Sequence, residues 1–190
     1  ASAAAQAVVD RHDVLRTVFR EVDGEPVQHI LPALGVPFEE IEPGDGPAGP
    51  EAVDWFRSRL THAAQQPFTL DTGPLLRFTL FRYGANEACL GLVIHHAVFD
   101  GWSISVLLND LSASYCAQEA GHGAALPPLP RQYLDYALWQ RAKEGSDAFL
   151  GHLRYWKRRL EGPLPVLELP TDHHRPPRQT WSGAVAQANL

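Results

Sequence analysis

The sequence contains no methionine and only two cysteines, Cys89 and Cys116, in 190 residues. Two cysteines cannot build a disulfide framework, and neither sits in a metal-type pair, so a reducing, cytoplasmic setting is expected. No apolar run comes near the roughly 20 residues a membrane helix needs, and no positively charged start leads into an apolar signal core. Basic side chains are in deficit: 16 Lys and Arg against 22 Asp and Glu leave a net charge of −6. That balance argues against a nucleic-acid backbone as the main partner. Internal repeats and low-complexity runs are absent too. What is there is 45% hydrophobic and 20% charged, the make-up of a folded domain able to bury a core without staples.

Both ends read as cut. The first residues already have helical composition with no cap, and 184–190 reads as the opening of a strand with nothing after it to pair with. The chain is expected to be part of something larger.

Apolar spacing predicts a helix over 3–19, its stripe built from Ala4, Val8, Val9, Leu15 and Phe19. The segment 17–22 then turns extended, Asp23-Gly24 signals a hairpin, and 26–31 is the return strand. A Gly- and Pro-rich loop is expected over 43–50 and a helix over 50–64. Strands over 75–83 and 88–95, joined by a turn at 84–87, should form an antiparallel hairpin at the heart of a sheet. Residues 103–119 read as a helix carrying Ile104, Leu107, Leu108, Leu111 and Tyr115, stopped by Gly121 and Gly123. Two further helices are expected over 131–142 and 147–160, then a Pro-punctuated extended passage over 162–177. The class is α+β, a mixed β-sheet covered by helices.

The informative stretch is Ile94-His95-His96-Ala97-Val98-Phe99-Asp100-Gly101-Trp102-Ser103, where the most apolar strand ends and a helix begins. Successive strand residues face opposite sides, so His95 and His96 cannot both point into one cleft. Gly101 would let the turn form without a Cβ clash, Ser103 would cap the helix, and Trp102 would wedge beside it. A cleft-facing histidine can serve as a general base because its ordinary pKa is about 6.5. The plainer reading is a core histidine bonded to backbone, with Asp100 closing a turn. Asp100, Gly101, Trp102 and Ser103 at their spacing turn the balance toward a functional site.

His95 to Ser103 resembles the HHxxxDG signature of nonribosomal peptide synthetase condensation domains, including their common GWS ending. Upstream, Arg11-His12-Asp13-Val14-Leu15-Arg16-Thr17-Val18-Phe19 resembles that family's RHExLRTxF segment, with Asp for Glu. Downstream, Tyr133-Leu134-Asp135-Tyr136-Ala137-Leu138-Trp139 resembles its YxDFAxW segment. Tyr155-Trp156, Leu160-Glu161-Gly162 and residues 167–172 are similar to its passage toward a second lobe.

The resemblance implies a chloramphenicol-acetyltransferase-like lobe. Residues 1–177 would be the N-terminal lobe, incomplete at its start, and 178–190 the start of the crossover to a missing C-terminal lobe. It implies amide formation between two carrier-bound substrates, the amine of one aminoacyl thioester attacking the carbonyl of another thioester. His96 corresponds to the catalytic histidine, as general base or amine-positioning group. His95, Asp100, Gly101 and Arg16 are supporting residues, with Arg16 the first candidate to hold Asp100 in a salt bridge. Tyr133, Asp135 and Trp139 are expected to pack in the core behind the site. No cofactor is expected to bind directly, since substrates would ride on phosphopantetheine arms of donor and acceptor peptidyl carrier proteins. The missing lobe and a neighbouring adenylation domain are the other implied partners, and this chain alone is expected to be inactive.

Weaker clusters carry less. His173-His174 reads as a polar loop, and His96 with Asp100 lacks the helical face that makes such spacing useful to zinc, so no metal is expected. Arg154, Lys157, Arg158 and Arg159 form either a solvated face or a contact for an acidic carrier protein. The GWS ending disfavours an epimerization relative, and His95-His96 disfavours a heterocyclization relative. A carrier-docking lobe without catalysis, or another HxxxDG acyltransferase, are the competing readings.

Overall fold

The first helix stops eight residues short of expectation. α1 spans Ser2–Arg11 and buries Ala4, Ala5, Val8 and Val9, and His12 then turns extended at φ −102° and ψ 103°. A single 3-10 turn, Asp13–Arg16, follows. Beyond it the buried residues are Thr17 and Val18, which suit a strand better than a helix. The computed structural model describes residues 1–42, 47, 49, 51–122, 126–180, 183 and 188. The expected loop over 43–50 lies largely outside these, as do Gly123 and nearly all of the strand expected over 184–190.

β1 (Thr17–Val22) and β2 (Glu25–Ile30) form the expected antiparallel hairpin, with Val22 opposite Glu25. Asp23 at φ 54° and Gly24 at φ 81° make the two-residue turn, the pair of positive angles that matches strand twist. The second sheet has the order β3-β4-β5. Its β3 (Phe38–Ile41) escaped the sequence reading, because four residues with two glutamates in the middle carry no alternation. β3 runs parallel to β4 (Leu76–Arg82), and β5 (Ala88–Ile94) antiparallel to it. The heart of this mixed sheet is β4, almost wholly buried. β5 is half-buried, and among the described residues its other edge has no strand beside it.

Two apolar clusters hold this unit. One joins Ala4, Ala5, Val8 and Val9 of α1 to Leu76 and Phe78 of β4 and to Leu107 and Leu111. The last two lie on α3, Ser103–Glu119, which has the expected bounds. The buried face of α3 is Leu107, Leu111 and Ser114, while Ile104, Leu108 and Tyr115 are about half exposed. The broad apolar stripe read from the sequence is therefore only partly a core face here. Gly121 at φ 72° closes the helix, and the His122 amide donates back to the Ala117 carbonyl at 2.9 Å. The second cluster packs α2 (Glu51–Gln65) on the sheet, with Trp55 and Phe56 ring centroids 4.9 and 5.5 Å from that of Phe81.

α2 meets β5 at a glycine. A Cβ built on Gly91 would lie 2.2 Å from Leu60 Cδ2 and 2.9 Å from its Cγ, so the whole isobutyl group would have to move. Gly91→Ala is expected to lower stability by about 1–3 kcal/mol, although alanine costs nothing intrinsically in a strand. In urea denaturation the added cost should shrink when Leu60→Ala is introduced beside it. An unchanged urea midpoint for Gly91→Ala would show that the interface yields freely.

α4 spans Tyr133–Lys143 and α5 spans Asp147–Arg159, within two residues of the expected bounds. Contacts divide the chain into two units, Ala1–Ala142 and Lys143–Leu190. In the second unit Ser146 caps α5, its Oγ accepting from the Phe149 amide at 3.3 Å. His173, His174 and the four basic residues of α5 are all exposed.

Candidate active site

The site begins where the sheet ends. The His95 amide donates to the Leu75 carbonyl at 2.9 Å, carrying the β4–β5 ladder one residue past Ile94. The His95 carbonyl then accepts from the Val98 amide at 3.1 Å, and its ring Nδ1 accepts from the Ala97 amide at 3.1 Å. His95 thus bonds on both sides of its neighbour and is itself half-buried, its ring perpendicular to that of Phe68 with the centroids 5.9 Å apart. His96 at the tip is exposed and has no hydrogen bond among the described residues. The opposite environments expected of adjacent residues at a strand end are what the backbone delivers.

Val98 is 4% exposed and anchors the far side of the turn. Asp100 Oδ1 accepts both the Ser103 amide at 2.9 Å and the Ser103 hydroxyl at 2.7 Å, while the Asp100 amide donates to Ser103 Oγ at 3.3 Å. Asp100 caps the helix and Ser103 answers it, the reverse of the expected capping by Ser103. A carboxylate suits the task, since it accepts the unpaired amide and complements the positive end of the helix. The Ser103 hydroxyl first, and then its amide, hold the Asp100 carboxyl below the ordinary carboxylate range. Desolvation opposes this, and the Trp102 amide and the nearby His96 add smaller downward pulls. Because the folded-state pKa is depressed, this stabilisation is complete above the unfolded value of about 3.9 and is lost as pH falls through the lower folded value. At neutral pH Asp100 is ionised and a poor proton acceptor.

Three expectations need correcting. Arg16 does not reach Asp100: its guanidinium pairs with Asp13 and donates to the Leu31 carbonyl. Asp13 stands one 3-10 turn away, and Ser103 already fills Oδ1 of Asp100, so the local partners prevail. Gly101 is not needed for backbone freedom, since its φ is not in the left-handed region and an added Cβ would meet nothing within 4 Å. Trp102 is 88% exposed, not wedged.

The Arg11-His12-Asp13 segment serves as a clamp. One oxygen of Asp110, on α3, accepts from Arg11 Nε at 2.9 Å and meets His12 Nε2 at 2.7 Å. Arg11 Nη1 also donates to the Pro127 carbonyl at 2.6 Å. The Gln132 side chain donates to the Arg11 carbonyl at 2.9 Å and accepts from the Asp13 amide at 3.2 Å. Helix α1, helix α3 and the connector into α4 are thereby tied at one point. The sequence reading missed Asp110 and Gln132, which are ordinary polar residues until the fold places them.

Asp135 accepts from the Gln132 amide at 2.8 Å and so caps α4 instead of packing in the core. Tyr133 and Trp139 are about half exposed, against the expectation of core packing. Tyr133 instead helps line an apolar groove of about 350 Å³ with Leu15, Val98, Phe99, Trp102 and Val106. The groove borders Asp100, and His96 does not line it. Among the described residues no group of three or more His, Cys, Asp or Glu is placed to hold a metal.

The family model described as Condensation domain matches residues 2–190. The chain belongs to the condensation-domain family. It is 44% identical over 94% of its length to phosphinothricin tripeptide synthetase PhsC of Streptomyces viridochromogenes, covering 16% of that protein. The X-domain from teicoplanin biosynthesis superposes with a TM-score of 0.76 at 32% identity, over 92% of this chain and 38% of that one. The epimerization domain from the third module of tyrocidine synthetase B follows with 0.72 at 28% identity, over 90% and 38%. The chain therefore spans well under half the length of each of these three relatives. The α+β class and the mixed sheet expected of the family are present.

Proposed function

We propose that this chain is the N-terminal lobe of a condensation domain and contributes His96 to peptide-bond formation on a nonribosomal peptide synthetase. The α-amine of an acceptor aminoacyl thioester attacks the carbonyl of a donor acyl or peptidyl thioester. A C–N bond forms, the C–S bond breaks, and the donor arm leaves as a thiol. His96 takes the proton lost by the amine, or accepts its hydrogen bond and aims its lone pair. The thiol leaves with one proton, so acid and base balance over the cycle. Both substrates ride on phosphopantetheine arms of carrier proteins, and the open space beside Gly101 suits the approach of such an arm. Holding two thioesters at one point supplies most of the acceleration, about 7–11 kcal/mol in the best intramolecular cases.

The observation that carries this reading is an exposed, unbonded His96 on a turn whose two flanks are tied down by His95 and Asp100. The test is to restore the chain to its complete condensation domain and supply two aminoacyl-loaded carrier proteins. Mass spectrometry should then find a dipeptidyl thioester on the acceptor carrier. Loaded carriers that bind without forming product would make this a docking lobe. Inversion at the donor Cα without an amide would make it an epimerization domain.

Asp100 is assigned a holding role. Asp100→Asn is expected to keep most of the turnover, because an amide oxygen accepts the same two bonds from Ser103. Asp100→Ala should lose roughly tenfold to a hundredfold, the scale of a misplaced catalytic group. Equal losses in the two variants would mean that the charge itself is required.

A further inference from the structure

Arg77 is a cation with no carboxylate partner among the described residues, yet it sits half-buried on β4. Its guanidinium lies 3.9 Å from the centroid of the Phe68 ring. Three of its five N–H donors go to backbone carbonyls, those of Ala63 at 3.2 Å, Gln66 at 3.1 Å and Pro67 at 2.8 Å. These carbonyls belong to the end of α2 and the segment that carries Phe68. A planar fork can cover a ring and satisfy orphaned helix-end carbonyls together, which a lysine cannot. Phe68 in turn meets the His95 ring at an interplanar angle of 86°. His95 then presents its bare Nδ1 to the Ala97 amide.

We infer that Arg77 and Phe68 are positioning residues for the reaction, holding the His95 ring so that its Nδ1 closes the turn on which His96 stands. The inference rests on the condensation reading for its kinetic consequence, while its structural half stands without it. An imidazole can face the Ala97 amide with Nδ1 bare and Nε2 protonated, or flip and lose that bond. The Phe68 contact fixes the plane of the His95 ring, the Ala97 amide then selects the arrangement with Nδ1 bare, and the Arg77 cation over Phe68 fixes where that contact sits. Freed from it, His95 would exchange tautomers and the peptides on either side of His96 would loosen. Such displacement of a reacting group acts on turnover and not on carrier affinity.

The complete condensation domain, labelled with ¹⁵N-histidine, provides the test. His95 resonances are assigned by their loss in His95→Gln. In the unaltered domain they should show an unprotonated Nδ1 and a protonated Nε2. Phe68→Leu keeps apolar bulk, and is expected to mix the tautomers and lower turnover by roughly tenfold to a hundredfold at unchanged KM for the loaded carriers. Phe68→Tyr restores the ring and should restore both readings. Arg77→Gln and Arg77→Lys should both move the His95 signals toward those of Phe68→Leu, since neither presents a planar cation to the ring. If Phe68→Leu folds and leaves the His95 tautomer or the turnover unchanged, the inference is wrong. If Arg77→Lys leaves both readings at their original values, Arg77 has no part in the device. A domain that makes no dipeptide at all yet shows the tautomer shifts would sink the condensation reading and leave the positioning contact standing.

Discussion

His96→Ala is expected to reduce dipeptidyl thioester formation by about a hundredfold to ten-thousandfold, the range lost with a positioned acid–base group. The thermal midpoint should stay where it was, because the imidazole is exposed and bonds to nothing among the described residues. The instructive companion is His96→Gln. A glutamine oxygen can accept a hydrogen bond from the attacking amine but cannot carry its proton away. An α-amine titrates near pH 8 unaided, so a purely orienting His96 has little proton transfer left to do. If His96 orients, the glutamine variant keeps much of the rate, and its deficit stays constant with pH because both proteins depend alike on the free amine. If His96 is the base, glutamine fares no better than alanine at neutral pH. Product formation by both variants across pH 6.5–9 (roughly the span around an amine pKa) separates the two. A full rate for His96→Ala would remove His96 from the chemistry.

The second large effect is on stability. Asp110→Ala strips Arg11 and His12 of their shared acceptor, leaving side chains that are only 15% and 16% exposed. Uncovering a largely buried cation in this way should cost about 2–4 kcal/mol, more than the pair itself contributes. Asp110→Asn should recover part of the loss, since one amide oxygen can still accept. In Arg11→Ala/Asp110→Ala the combined cost should fall well below the sum, because the stranded charge is gone. Urea denaturation of these variants, of Arg11→Ala and of the unaltered protein reads this directly. The exposed Arg57–Asp54 pair, also at a short 2.8 Å, is the control. Screened by water, it should give no measurable change on Asp54→Ala. Similar midpoints for Asp110→Ala and Asp54→Ala would mean that the clamp is ornamental. A loss at Asp110 should also reach the site, since the same helix begins at Ser103.

Local signals were legible wherever the decisive partners are close in the chain. Asp23-Gly24 is a hairpin turn because two positive φ angles are needed there, and those residues accept them. Helix α3 has the bounds its spacing predicts, and β4 and β5 pair as expected. The helix over 3–19 failed for the complementary reason. Leu15 and Phe19 fit a helical stripe, but Thr17 and Val18 are drawn into burial on a strand and Arg11 and His12 are pulled to Asp110. Capping is where the local reading came closest and still reversed the roles, since Asp100 and Ser103 can each cap and only geometry chooses between them.

By itself the sequence determined the α+β class, most helices and strands, and the stretch from His95 to Ser103 as the place to look. Those rest on interactions between residues a few positions apart, whose side-chain types show in the pattern. Only the tertiary structure decided that Asp110 and Gln132 lock the Arg11–Asp13 turn, with partners 98 to 121 residues apart. It also decided that Arg16 serves Asp13 and not Asp100, and that Arg77 and Phe68 stand behind His95. A polar residue carries no mark of which distant group it will meet. Its partner is chosen when apolar burial brings the elements together and every donor left inside must find an acceptor.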